Sequence, residues 1–138
     1  MENILIDTDV ILDFFFDRIP FSEDASKILS KCEKGEVQGF VTAVILSNIY
    51  YLLRKTSTHI KVTGSLKSLL TFIHVLPTDK NTVVDALDSE FKDFEDALQN
   101  FSAQNADTIK IIITRNIKDY KTSGLSIMTP ETFLKSFG

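Results

Sequence analysis

Apolar residues in this chain come in short runs that stop at oxygen-bearing side chains, separated by longer stretches where apolar positions recur at helical spacing. Ile4 to Ile6 is the first such run, and it stops at Asp7-Thr8-Asp9. Beyond it, Val10, Ile11, Phe14 and Phe15 fall on one side of a helix that starts near Asp9 and is ended by Pro20. Ser22 opens a second helix with Ile28 and Leu29 facing the core, and Gly35 closes it as a C-terminal cap. Phe40 to Thr42 predicts a strand, and Ala43 to Lys55 a helix in which Leu46, Ile49, Tyr50 and Leu53 recur. A further helix is predicted from Ser57 to Phe72, weakest at Gly64, then a strand from Ile73 to Leu76 stopped by Pro77. Helices follow around Thr82 to Ser89 and Phe91 to Asn105, then strands from Ile109 to Thr114 and Ser126 to Met128, and a terminal helix opened by Pro130. Short strands separated by helices predict right-handed βα crossovers and a mainly parallel α/β sheet.

Two of the strands end alike. Ile4-Leu5-Ile6 runs into Asp7-Thr8-Asp9, and Ile111-Ile112-Ile113 into Thr114-Arg115-Asn116. Buried parallel strands deliver such residues to the carboxyl edge of the sheet, where α/β enzymes place their chemistry.

Composition narrows the class. A chain of 138 residues, 43% hydrophobic and 25% charged, is expected to form a single domain with its own core. The start has no basic region ahead of an apolar stretch, and Asp7 and Asp9 interrupt the first hydrophobic segment. Neither a signal peptide nor a membrane span is expected there, and a cytoplasmic location follows as an expectation. The lone Cys32 excludes an internal disulfide and has no cysteine neighbour for zinc, so it reads as a small residue on a helix. The net charge of −4 argues against indiscriminate nucleic-acid binding. Charge is nonetheless uneven. From Val37 to Thr78 there is no acid, against Arg54, Lys55, Lys61 and Lys67, whereas Asp79 to Asp96 holds seven acids against Lys80 and Lys92. Such blocks read either as solvated helix faces or as a basic groove beside an acidic pocket.

Oxygen ligands gather at the predicted strand ends: Asp7 and Asp9, then Asp93, Glu95 and Asp96 at a helix start, then Asn116 and Asp119. Carboxylates brought together repel, and a proton or a hard cation such as Mg²⁺ or Mn²⁺ relieves the repulsion. Such a cation can activate water and stabilise charge on a phosphodiester. Each residue also has an ordinary role: Asp7, Thr8 or Asp9 as a helix cap, Asp93 and Glu95 as helix-start acids, Asp119 in a turn, Asn48 as a polar residue on a half-exposed helix face.

The segments Ile-Asp-Thr-Asp-Val-Ile-Leu-Asp at 6–13, Thr-Ala-Val-Ile-Leu-Ser-Asn-Ile-Tyr-Tyr-Leu-Leu-Arg-Lys at 42–55, Asp-Phe-Glu-Asp-Ala-Leu-Gln at 93–99 and Thr-Arg-Asn-Ile-Lys-Asp-Tyr at 114–120 together resemble the PIN domain family. The resemblance covers nearly the whole chain, 1–138 as one PIN-like domain, and is nearest to the small bacterial members that include toxin ribonucleases of VapBC-type toxin–antitoxin pairs. It implies a three-layer α/β/α sandwich with strand order 3-2-1-4-5 and a metal-dependent nuclease site between strands one and four. Asp7 and Asp96 fall on the family's first and third acids. The second acid falls on Asn48 and the one after the fourth strand's threonine on Asn116, both neutral, with Asp9, Glu95 and Asp119 as compensating candidates. The resemblance thus implies Mg²⁺ or Mn²⁺ held by Asp7, Asp96, Asn116 and Asn48, catalysis by Asp7, Asp96 and Asp119, and an RNA substrate. Arg54, Lys55, Lys61 and Arg115 are candidate RNA contacts, with Tyr50 and Tyr51 nearby for stacking or for core packing.

Two alternatives accompany this reading. One is a PIN-like module that has lost cleavage and keeps RNA or protein recognition. The other is a haloacid-dehalogenase-like phosphatase, suggested by Asp7-Thr8-Asp9, with Thr114 as a further match but without the later acidic pair that chemistry needs. On partners, a helix cannot turn Phe14, Phe15 and Phe16 to one face, so at least one ring is expected to point away from the core. An apolar patch from Phe14 to Phe21 with the helix at Ser22 to Lys34 is a candidate site for a homodimer or an antitoxin helix.

Overall fold

The computed structural model describes residues 1–137. Five strands form one parallel sheet: β1 (Asn3–Ile6), β2 (Gln38–Thr42), β3 (Ile73–Leu76), β4 (Ile111–Ile113) and β5 (Ser126–Met128), ordered β3-β2-β1-β4-β5. The helices are α1 (Thr8–Phe15), α2 (Ser22–Glu33), α3 (Ala43–Arg54), α4 (His59–Leu69), α5 (Lys80–Leu87), α6 (Phe94–Ala106) and α7 (Pro130–Phe137), with a 3₁₀ turn over Ile117–Tyr120. Right-handed crossovers moving outward from β1 to β3 put α1 to α4 on one face, and the return to β4 puts α5 and α6 on the other. In keeping with this, α1 packs on α2 and α3, α7 joins α2, and α5 pairs with α6. The result is the three-layer α/β/α sandwich in the expected strand order.

Residues with oxygen side chains set where the helices begin. Asp7, Thr42, Thr58, Asp79 and Asp93 each accept a backbone N–H at the start of α1, α3, α4, α5 and α6. The cap at Asp93 delays α6 to Phe94, three residues later than the periodicity from Phe91 predicts, and the cap at Thr58 trims α4 in the same way. The strand expected over Ile109 to Thr114 pairs only over Ile111–Ile113. Gly35 does close α2: its φ is +77°, a left-handed conformation that a side chain disfavours.

The main core is built from Ile4, Leu5 and Ile6 of β1, Ile112 and Ile113 of β4, and the inward faces of α1 to α4, including Ile11, Ile28, Ile45 and Ile49. Cys32 lies within it, against β2, where a Cβ on Gly39 would come within 2.7 Å of the Cys32 Sγ, so only glycine admits α2 that close. Burial pushes the thiol up to about 12, consistent with an inert packing role. A smaller cluster of Ala86, Ala97 and Leu98 joins α5 to α6. Of the three consecutive phenylalanines, Phe15 and Phe16 pack on the core and Phe14 remains 39% exposed. No helix among the described residues is long and apolar enough to cross a membrane.

Candidate active site

β1 pairs with β2 on one side and β4 on the other, so the chain leaves β1 and β4 in different directions and a crevice opens at their carboxyl ends. The register pairs Ile6 with Ile113, which brings the next residues, Asp7 and Thr114, side by side. Asp7 is 5% exposed and fully engaged. Its Oδ1 caps α1 by accepting the Thr8 N–H at 2.8 Å and accepts Gln99 Nε2 at 3.4 Å, while its Oδ2 accepts the Thr114 hydroxyl at 2.9 Å and the Tyr120 hydroxyl at 3.2 Å. The ordinary role of helix cap is therefore real, and the second oxygen is taken up by the Thr114 and Tyr120 hydroxyls at the pocket.

Asp96 reaches the same place from α6. Its Oδ1 lies 3.4 Å from the Tyr120 hydroxyl, so two carboxylates 89 positions apart in sequence meet at one phenol. A phenol has one hydrogen and can donate to one carboxylate at a time. The second contact is made good when Asp96 carries a proton and donates it to the phenol oxygen. Electrostatics agree: burial, then the charges of Asp7, Asp93 and Asp119, push Asp96 up to about 7. Burial likewise raises Asp7, against the pull of its hydrogen bonds, and raises Asp9 to about 6 with the Asp7 charge behind it. Tyr120, buried beside two acids, is held well above the usual phenol range.

The surrounding crevice has a volume of about 600 Å³ and takes in Asp7, Asp9, Asp96, Asn48, Glu95 and Asn116. Asn48 donates through Nδ2 to Glu95 at 2.9 Å, bridging α3 to α6. Asn116 borders the pocket, and its backbone N–H is held by the Thr114 hydroxyl at 3.0 Å. Asp93 is turned away to cap α6, and Asp119 acts on Asp96 through its charge from an exposed position. Asp9 accepts the Arg115 backbone N–H at 3.0 Å through Oδ2, and its Oδ1, with Thr8 Oγ1 and Gln99 Oε1, is buried without a hydrogen-bond partner. All three of these residues line the pocket.

The basic candidates separate. Lys55 borders the pocket, whereas Arg54, Lys61 and Arg115 do not. Arg54 donates to the Ser57 carbonyl, and Lys61 lies beside a small cleft with Phe15 and Phe16. Arg115 grips the fully buried Asp13 at 2.7 and 3.0 Å and stacks on Phe21, its guanidinium carbon 3.9 Å from the ring centre. Sequence reasoning passed over Tyr120, Gln99 and Arg18. Gln99 sits one turn beyond Asp96 on the same helix, a spacing that signals a shared face. Nothing local marks Tyr120, which reaches the acids from the loop after β4.

Could these residues hold a hard cation? Among the described residues no three or more His, Cys, Asp or Glu side chains are grouped to hold a metal ion. Mg²⁺ asks for less: one or two carboxylates, with water and substrate phosphate completing its shell. Asp7 and Asp96, together with the unsatisfied Gln99 oxygen and the Asn116 amide, fit that requirement.

This geometry defines an α/β protein with an acidic crevice at the switch point of its sheet. The PIN domain family model matches residues 3–118, and the chain belongs to that family. The phosphatase reading falls with that match. No curated protein matches the chain. Among solved structures, a toxin–antitoxin complex from Klebsiella pneumoniae is similar at 24% identity and a TM-score of 0.67, over 92% of this chain and 97% of that one. VapBC2 of Rickettsia felis, bound to a DNA fragment from its promoter, aligns at 13% identity and a TM-score of 0.65, over 91% and 96%. VapC20 of Mycobacterium tuberculosis, a toxin that cleaves the sarcin–ricin loop, aligns at 14% identity and 0.64, over 86% and 95%. At these identities the likeness is one of fold.

Proposed function

We propose that this protein is a Mg²⁺- or Mn²⁺-dependent ribonuclease acting in the cytoplasm as the toxin of a toxin–antitoxin pair. The observation that carries the reading is the meeting of Asp7 and Asp96 at the Tyr120 hydroxyl, in an open pocket, with no basic side chain hydrogen-bonded to either acid among the described residues. Asp7 and Asp96 would hold the cation, with Asn116, Asn48 and Asp119 as further oxygen donors, directly or through water. The chemistry a bound cation supplies is activation of a water and stabilisation of charge on the phosphodiester. Tyr120 orients both carboxyl groups, and Thr114 and Gln99 fix the rotamer of Asp7. Asp96, raised to about 7, is partly protonated near neutral pH, so a cation held there would displace that proton and couple binding to proton release.

The partner side rests on the family and on one surface feature. A groove of about 560 Å³ between α1, α2 and α4 is lined by Phe14, Phe15, Leu29, Leu69 and Phe72. Its apolar floor suits the helix of an antitoxin, or a second copy of the chain. A second reading, an RNA- or protein-binding module without cleavage, is favoured by the neutral Asn48 and Asn116 at the pocket. Titration with Mn²⁺ in a calorimeter, followed by an RNA cleavage assay, decides between them. The nuclease reading expects heat of binding and metal-dependent cleavage, both lost in Asp7→Asn and Asp96→Asn; a folded protein that takes up no metal and cleaves nothing is the binding module.

A further inference from the structure

The two walls of the acidic crevice are joined by a side-chain bond. α3 and α6 stand on opposite faces of the sheet, and where they meet at its carboxyl edge Asn48 Nδ2 donates to Glu95 Oε2 at 2.9 Å. Both residues border the crevice. Helix geometry alone does not bring Glu95 there. It immediately precedes Asp96 on α6, and adjacent helical positions are turned about 100° apart, so the two carboxylates leave the helix in different directions. Asp96 goes to the Tyr120 hydroxyl, and Glu95 is met by the amide from α3. Only a donor can hold a carboxylate in this way; an acid at position 48 would repel it. Glu95 is exposed and forms no ion pair among the described residues, so its charge is not cancelled within the chain.

The neighbouring acids are placed differently. Asp9 turns Oδ2 to the Arg115 backbone N–H, Asp93 caps α6, and Asp119 does not border the crevice. A buried amide supplies a separate observation. Gln99, 2% exposed, directs Nε2 to Asp7 Oδ1 at 3.4 Å, and its Oε1 is buried with no hydrogen-bond partner, an acceptor suited to an electropositive ligand at the same acids.

We infer that Glu95 is the third carboxylate serving the cation site, carried on α6 and held across the crevice by Asn48. The inference rests on the cation-dependent reading of this pocket and adds a residue to it. No three acids close on one point among the described residues, so Glu95 acts on a hydrated cation through its water and its charge, not as a direct ligand. Asn48 is then a positioning residue for Glu95, a part separate from the oxygen-donor role proposed above.

The test is titration of the full chain with Mn²⁺ in a calorimeter, without RNA, beside thermal melts in EDTA. Glu95→Gln keeps an oxygen for the Asn48 N–H and removes the charge. Its melting temperature should match the wild type, and its Mn²⁺ affinity should fall about tenfold, the low end for a carboxylate that acts on a metal from outside its ligand shell. Asn48→Ala keeps the charge but releases Glu95, and should weaken binding by less. Exchanging the pair, Asn48→Glu with Glu95→Gln, rebuilds a carboxylate–amide bond with the charge on α3 and should return the affinity to the wild-type value. Unchanged affinity in Glu95→Gln, or no recovery in the exchanged pair, overturns the inference. The two ideas fail differently. A wild type that binds Mn²⁺ no more tightly than Glu95→Gln keeps the cation site and loses Glu95 from it; a wild type that takes up no Mn²⁺ removes the cation site, and the inference with it.

Discussion

Two carboxylate clusters meet helix α1, and they are finished in opposite ways. At Asp13 the charge is fully buried and answered: Arg115 makes two short contacts and Arg18 a longer one. At Asp7 and Asp96 the donors are a threonine, a glutamine, a tyrosine and a backbone N–H, all neutral. The first cluster pins α1 to the loop after β4 and is complete within the chain. The second has its acids pushed toward the protonated form and has no basic side chain hydrogen-bonded to either acid among the described residues. Burial alone does not single out a candidate carboxylate; the missing counter-charge is what sets Asp7 and Asp96 apart from Asp13.

Breaking the finished cluster should do the most damage. Asp13→Ala leaves two guanidiniums without their anion and is expected to cost about 3 kcal/mol, the low end for a buried pair because Arg115 keeps some exposure. Urea unfolding measures it. Losses below about 1 kcal/mol would place Asp13 with ordinary surface ion pairs. The unfinished cluster should behave the other way. Asp7→Asn or Asp96→Asn is expected to abolish Mn²⁺ heat and cleavage while leaving the metal-free chain folded. Asp96→Asn should raise its melting temperature at pH 8, where the ionised acid is penalised.

A pH series sharpens the same contrast. Asp96 titrates near 7 in the folded chain and near 3.8 when unfolded, so between those values the folded state binds more protons. Stability contributed by this group is therefore greatest at the acid end of the window and falls as pH rises to about 7; Asp9, at about 6, adds in the same direction. The metal-free chain should melt higher at pH 5 than at pH 8, relative to Asp96→Asn, which should show less of this slope. Equal slopes in both proteins would mean that Asp96 is not the strained acid. The smallest effect concerns the neutral positions. Asn48→Glu with Asn116→Asp should tighten Mn²⁺ binding by about tenfold, since added carboxylates strengthen the field on a hard cation. Unchanged affinity would show that these two side chains do not reach the ion.

Much of the architecture was legible from local pattern. Apolar runs stopping at Asp7 and Thr114 predicted two strands delivering oxygens to one edge, and Gly35 and Pro130 were read correctly as helix punctuation. These features are local: pleat, helical period and capping act over a few residues, so sequence carries them directly. The sequence also showed that Asn48 and Asn116 bring no charge. It was silent on which polar residue meets which. Arg115 looked like a nucleic-acid contact and is bound to Asp13, 102 positions away; Tyr120 had no assigned role and bridges the acids; of four basic candidates, Lys55 borders the pocket. Those pairings depend on sheet register and on how the loop after β4 folds over α1 and α6, a matter of packing between distant segments. Sequence alone determined that acids would stand at the switch point of a parallel sheet, and tertiary structure decided which of them would be left without a counter-charge.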